Sequence, residues 1–186
     1  MPDVERAKRI LNDNNVRWVQ GQFVDLLGHL RSFSMPISTY LEDDIWKNGI
    51  GFDGSSVKGF AAVNHSDMIA VPDPTTMLPL PWLYDGQRAR VMMDIFDVNN
   101  RIQFAGDPRS IARIATEKAI GLGYDALHVA PEFEFHIFRQ SQVLPDKESL
   151  ALQPKLFDPI QAGGYFAPPP ADTMEPFRTH VSNALI

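Results

Sequence analysis

The sequence contains no cysteine. That excludes disulfides, zinc–thiolate centres and a thiol nucleophile, and it suits a reducing cytoplasm. It also lacks any run of Lys and Arg, and its formal net charge is −6. A nucleic-acid partner would call for a basic face, so none is expected. No stretch approaches the roughly 20 apolar residues that span a bilayer, and Met1–Arg6 has no apolar core of signal-peptide type. No Walker-type GxxxxGK[ST] segment occurs, which excludes a nucleotide site of that kind. What remains is a soluble, acidic, cytoplasmic protein, and its 186 residues are enough for one ordinary domain or two small ones.

Hydrophobic periodicity supplies the elements. Residues 3–14 have the spacing of a short amphipathic helix, with Val4, Ala7 and Leu11 on one side. Two β-prone stretches, Val16–Val24 and Leu30–Met35, flank Asp25-Leu26-Leu27-Gly28, which predicts a hairpin turning at Gly28. Ser38 is placed to cap a second short helix ending near Trp46, with Leu41 and Ile45 forming its buried stripe. Residues 49–59 are glycine- and serine-rich and read as a loop. Met68–Val71 is a strand, and Pro72, Pro74, Pro79 and Pro81 make the next stretch an extended crossing. Ala89, Val91, Met93 and Ile95 alternate with Arg90 and Asp94, the pattern of a half-buried strand.

A second unit begins near Gly106. Asp107-Pro108 opens a helix whose apolar stripe is Ile111, Ala115, Ala119 and Leu122, with Gly123 closing it. A strand is predicted from about Leu127 to Phe138, then a loop over 140–162. Asp172 caps a last helix with the stripe Phe177, Val181, Leu185. That helix runs to the final residue, so the chain is expected to be a fragment of a longer one.

Three groups of residues can carry chemistry. In a strand, Glu132 and Glu134 would point to one face, with Phe133 and Phe135 on the other. Paired carboxylates of this kind suit a hard divalent cation such as Mg²⁺ or Mn²⁺. They equally suit a solvated acidic face. Asp53-Gly54-Ser55-Ser56, followed by Gly59-Phe60, packs an acid and two hydroxyls into a flexible turn. Such a turn can hold a cation or present a base, or be no more than a surface turn. Gly163-Gly164-Tyr165 followed by Pro168–Pro170 either sets Tyr165 against a ligand or forms a rigid linker.

Taken in order, these pieces resemble glutamine synthetases of bacteria and archaea. The resemblance includes Asn64–Met68, Pro72-Asp73-Pro74, Asp107-Pro108-Arg109, Gly164-Tyr165-Phe166, Pro169, Pro170, Asp172 and Arg178, and covers essentially the whole chain. It implies an α+β protein: a β-grasp domain over 1–103, then the start of a catalytic domain over 104–186. It implies ATP-dependent ligation of ammonia to glutamate through a γ-glutamyl phosphate. Glu132 and Glu134 would bind Mg²⁺ or Mn²⁺. Asp53 would bind ammonium and help remove its proton, with Ser56 beside it and Tyr165 lining the pocket. It further implies a homo-oligomer in which Asp53, Ser56 and Phe60 serve a neighbouring subunit's site. The partners are thus glutamate, ammonium, ATP and further copies of the chain, with no nucleic acid and no membrane. Two other readings fit the same resemblance: a ligase joining glutamate to an organic amine, and a non-catalytic relative used for assembly.

Overall fold

The computed structural model describes residues 2–61, 66–83, 86–134, 137–141, 157–159, 164 and 166–185. It divides into two compact units, Met1–His128 and Val129–Ile186.

The first unit is built on a six-stranded sheet. The strands are β1 (Trp18–Val24), β2 (Leu30–Pro36), β3 (Ile50–Asp53), β4 (Asp67–Pro72), β5 (Leu78–Pro79) and β6 (Arg88–Asp97). They lie in the order β2-β1-β6-β4-β3, with β5 also on β6. At the centre β1 and β6 run parallel, Trp18 opposite Arg88 through Gln22 opposite Met92, while every other pair in the sheet is antiparallel. Central parallel strands joined by a long crossover, with a helix packed on one face, make this the β-grasp fold.

β6 organises the core. Its Ala89, Val91, Met93 and Ile95 are all fully buried, as the alternation predicted. Helix α1 (Pro2–Asp13) lays Val4, Ala7 and Leu11 onto the same cluster. These side chains contribute to the apolar burial that stabilises the sheet, at roughly 25 cal/mol per Å². The β1–β2 hairpin also forms as expected, and Gly28 takes φ +82° in its turn. Asp25 ties that turn down: its carboxylate accepts from the Leu27 and His29 amides, each at 2.9 Å, and from Arg31 Nε at 2.8 Å. Burial acts to push the Asp25 pKa up, but these donors outweigh it and hold it at about 2.

Three local expectations fail. The helix predicted from Ser38 to Trp46 is two, α2 (Ile37–Leu41) and α3 (Asp44–Asn48). The residue capping α2 is Pro36, the last of β2, and it makes no side-chain bond; Ser38 lies within the helix. Because the chain breaks between the helices, Tyr40, Ile45 and Trp46 are buried instead of Leu41. Residues 50–53, read as loop, pair with β4 from Ile50–Ala70 to Asp53–Asp67. Tertiary pairing there overrides the weak strand propensity of glycine.

Helix α4 (Pro108–Gly121) opens as predicted, with Asp107 accepting from the Arg109 amide at 3.1 Å. Its apolar stripe is not buried in this unit: Ile111 and Leu122 are exposed, and Ser110 is its buried residue. What holds α4 to the sheet is charge. Arg109 Nε donates to Asp94 at 2.8 Å, its Nη2 donates to Asp73, and Arg113 Nη2 donates to both Asp94 oxygens at 2.9 Å. This network keeps α4 within the first unit, so the compact units divide at 128/129.

In the second unit, β7 (Phe138–Ser141) and β8 (Phe157–Pro159) pair antiparallel, where a loop was expected over 140–162. Helix α5 (Glu175–Leu185) is preceded by Asp172, which accepts from the Met174 amide at 3.0 Å and pairs with Arg178. The strand predicted over 127–138 does not form over residues 126–134, which belong to no helix or strand. A strand exists only through a neighbour that takes its backbone hydrogen bonds, and no ladder partner is present for this segment among the described residues. Among the described residues, no helix is long and apolar enough to cross a membrane.

Candidate functional site

The Asp53 turn is built from its own sequence outward. Asp53 ends β3, and Gly54–Ser56 form a single 3₁₀ turn after it. Asp53 Oδ1 accepts from the Ser55 amide at 2.9 Å and from Ser55 Oγ at 2.6 Å, while Oδ2 accepts from Ser56 Oγ at 2.8 Å. A carboxylate two residues before a serine can close this ring locally, since side chain and amide lie within one turn. Gly54 is buried beneath it, and its amide donates to Ser66 O at 2.6 Å. A Cβ at Gly54 would lie 2.4 Å from Met68 Sδ, so the turn sits down on β4 only because that atom is missing.

The carboxylate itself faces solvent. Hydrogen bonds from Ser55 and Ser56, with a further one from Ser66, hold its pKa below the ordinary aspartate value. Among the described residues it has no Lys, Arg or His partner. The turn therefore presents an oriented, ionised carboxylate that no cation compensates among the described residues. Phe60, expected to serve a neighbouring site, is 5% exposed and packs against Phe23 and Phe104 with ring centroids 5.8 and 5.2 Å away. Its size anchors the loop to the core beneath.

Gly49, Gly51 and Gly54 have the GxGxxG spacing of a dinucleotide fingerprint. Here the segment runs from helix into strand, the reverse of the strand-to-helix order that points a helix N-terminus at a phosphate.

Two glutamine synthetase family models match the chain and meet between residues 98 and 105, ahead of the 128/129 division between the compact units. The beta-grasp domain of glutamine synthetase matches residues 15–98, and the glutamine synthetase catalytic domain matches residues 105–186. The chain belongs to the glutamine synthetase family. Among curated relatives, the glutamine synthetase of Thermotoga maritima is 38% identical over 183 residues, covering 98% of this chain and 39% of its own length. That of Archaeoglobus fulgidus is 31% identical over 205 residues, covering 97% of this chain and 42% of its own. The chain thus spans about two fifths of the length of these relatives. The solved glutamine synthetase of Plasmodium falciparum shares the fold over 98% of this chain and 39% of its own, with a TM-score of 0.66 at 18% identity.

For a glutamine synthetase family chain, the remaining site residues divide clearly. Asp53 and Ser56 are brought together. Glu132 and Glu134 lie in the second unit, both exposed, and Phe133 between them is 82% exposed rather than buried as a core anchor. Tyr165 lies outside the described residues. Glu132 and Glu134 offer oxygen donors, which suit Mg²⁺ or Mn²⁺, but two carboxylates fill only part of the six or more positions around such ions. Among the described residues no group of three or more His, Cys, Asp or Glu forms a metal cluster.

Sequence reasoning named Ser55 only as one of the turn's two hydroxyls, although it makes two of the four hydrogen bonds to Asp53, and it missed the use of Asp73 and Arg109. Asp73 and Arg109 both stand in the motifs that carried the family resemblance, yet nothing in either motif signals that one side chain binds the other. Asp-x-Ser and Asp-x-Thr were the available signals for the turns themselves.

Proposed function

We propose that this chain contributes to an enzyme that ligates ammonia to L-glutamate at the expense of ATP, as part of a longer subunit. The observation that carries this reading is Asp53: an exposed, ionised carboxylate held by serine hydroxyls, with no cationic partner among the described residues. Such a group favours a small cation with several hydrogen-bond donors, and ammonium is the smallest that suits it. A carboxylate with a lowered pKa is a weak base toward free ammonium. Its first task is to concentrate and orient the nitrogen; the proton leaves as the C–N bond forms, when the nitrogen has become far more acidic. Ser56 keeps Oδ2 directed.

Glu132 and Glu134 hold Mg²⁺ or Mn²⁺ together with ligands from outside this chain. An ion held there by Glu132 and Glu134 would supply charge neutralisation for the transferring phosphoryl group. The γ-carboxylate of glutamate accepts that group from ATP, and ammonia displaces it. The domain boundary falls at 103/104, a reading supported by two family matches that meet between residues 98 and 105. The protein works in the cytoplasm as a homo-oligomer in which one subunit's Asp53 turn completes another's site.

The test uses the longer enzyme. Asp53→Ala should cut glutamine formation by about 100-fold or more at limiting ammonium, the order expected for loss of an acid–base group. Glutamate-dependent ADP release without ammonium should change far less. Equal losses in both reactions would remove Asp53 from the ammonium site. Methylamine replacing ammonium without loss would favour the organic-amine ligase instead.

A further inference from the structure

Strand β3 is bracketed by two chemically fragile pairs, Asn48-Gly49 before it and Asp53-Gly54 at its end. In each, the glycine nitrogen can attack the preceding side-chain carbonyl and close a five-membered succinimide. Glycine permits this most readily because no Cβ crowds the approach. Asn48 is the only asparagine in the chain that precedes a glycine.

The fold requires glycine at position 49. Its backbone takes φ +70°, and a Cβ there would lie 2.5 Å from Ala70 O and 2.7 Å from Ile69 Cγ2. The liability therefore cannot be removed by a bulkier neighbour without dislodging the α3–β3 junction from β4. What restrains the reaction is hydrogen bonding. The Gly49 amide donates to Ile45 O at 2.9 Å, and Asn48 Nδ2 donates to Asp44 Oδ1 at 2.5 Å. Both must be released before the nitrogen can reach Asn48 Cγ.

We propose that Asn48 is a spontaneous deamidation site whose rate is governed by its side-chain bond to Asp44. The Gly49 nitrogen bonds to Asn48 Cγ and the Cγ–Nδ2 bond breaks. Nδ2 departs as ammonia, carrying the proton that the Gly49 nitrogen loses. One water then opens the ring at either carbonyl, giving aspartate or isoaspartate, with no change of oxidation state. Asn48 is exposed, so water reaches it freely. The isoaspartate product inserts an extra main-chain carbon at the junction that positions β3, and with it the Asp53 turn.

Asp53-Gly54 has the same spacing and resists the same reaction. An ionised carboxylate is a poor electrophile, both its oxygens are already held by serines, and the Gly54 amide is bound to Ser66 O. The two pairs thus serve as each other's controls within one molecule.

The experiment incubates the chain at mildly alkaline pH and follows isoaspartate at each position by peptide mapping and mass spectrometry. Asp44→Ala should speed product formation at Asn48 about fivefold, the opening that one ordinary hydrogen bond suppresses. Asp44→Asn, which keeps the accepting oxygen and removes the charge, should stay near the wild-type rate. The wild type in urea should react faster at Asn48 than the folded wild type. Asn99 and Asp53 should be unaffected by either Asp44 variant in the folded chain. An unchanged rate in Asp44→Ala, or equal rates in folded and urea-unfolded wild type, would overturn the proposal. If Asp44→Ala loses its circular dichroism signal, the Asp44→Asn and urea comparisons decide alone, and acceleration in Asp44→Asn would then refute the hydrogen-bond role.

Discussion

The Asp53 turn and the Asp73 turn are the same piece of local chemistry put to different uses. In each, an aspartate caps a single 3₁₀ turn, and its Oδ1 accepts from the amide and the hydroxyl two residues on. The distances are 2.9 and 2.6 Å to Ser55, and 3.0 and 2.6 Å to Thr75. The second oxygen separates them. Asp73 Oδ2 receives the Arg109 guanidinium, whereas Asp53 Oδ2 receives the neutral hydroxyl of Ser56. A carboxylate whose countercharge is built in acts as a structural joint, and one left without it is available to an incoming cation. The same short motif is thus architecture at one position and a candidate site at the other.

The largest effect should come from breaking the joint. Arg109→Ala strands Asp73 and half of the Asp94 network, all of it less than a third exposed. It should cost about 2 kcal/mol in urea denaturation, as expected when a charged hydrogen-bonding partner is removed. Loss of near zero would mean that α4 is held by packing instead. Next, Gly54→Ala should cost about 1.5 kcal/mol, because its Cβ must displace the buried Met68 side chain and crowd Ser66 O at 3.0 Å. A neutral result would show that the Asp53 turn floats free of β4. The smallest effect concerns acid. Asp53 has a lowered folded pKa, so its contribution to stability is present above the unfolded value and fades as pH falls through the folded one. Asp25 behaves likewise over a wider window, from its ordinary 3.8 down to about 2. Carboxyl-carbon NMR titration should find both below the ordinary aspartate value, and Ser55→Ala should raise Asp53 alone. If Ser55→Ala leaves Asp53 where it was, the serine does not hold the charge.

What could be read from sequence followed the range of the interactions involved. Period-two alternation in β6, the stripe of α1 and the Asp107-Pro108 opening of α4 are each written in adjacent residues, and each appears as expected. The pairing of Ile50–Asp53 depends on β4, more than a dozen residues away, and the break between α2 and α3 accompanies a Tyr40–Trp46 contact that helical periodicity does not encode. Glu132 and Glu134 mark the limit most plainly. Their alternation with Phe133 is strand-like, but alternation alone does not provide a neighbouring strand. The exposed Ile111 and Leu122 carry the same lesson for α4, whose stripe was legible although its burial was not.

The parallel pairing of β1 with β6 bears on the order of assembly during synthesis. Trp18–Gln22 leave the ribosome early and can form a hairpin with β2, but their central neighbours, Arg88–Met92, arrive only after β3, β4 and β5 have been made. Closing so distant a contact is entropically expensive and slow. Until it closes, β4 also lacks its partner in β6, and the Asp53 turn has only an unsupported two-stranded ribbon to rest on. The candidate site is therefore among the later features of this chain to acquire a fixed shape, although the residues that define it are synthesised in the first third.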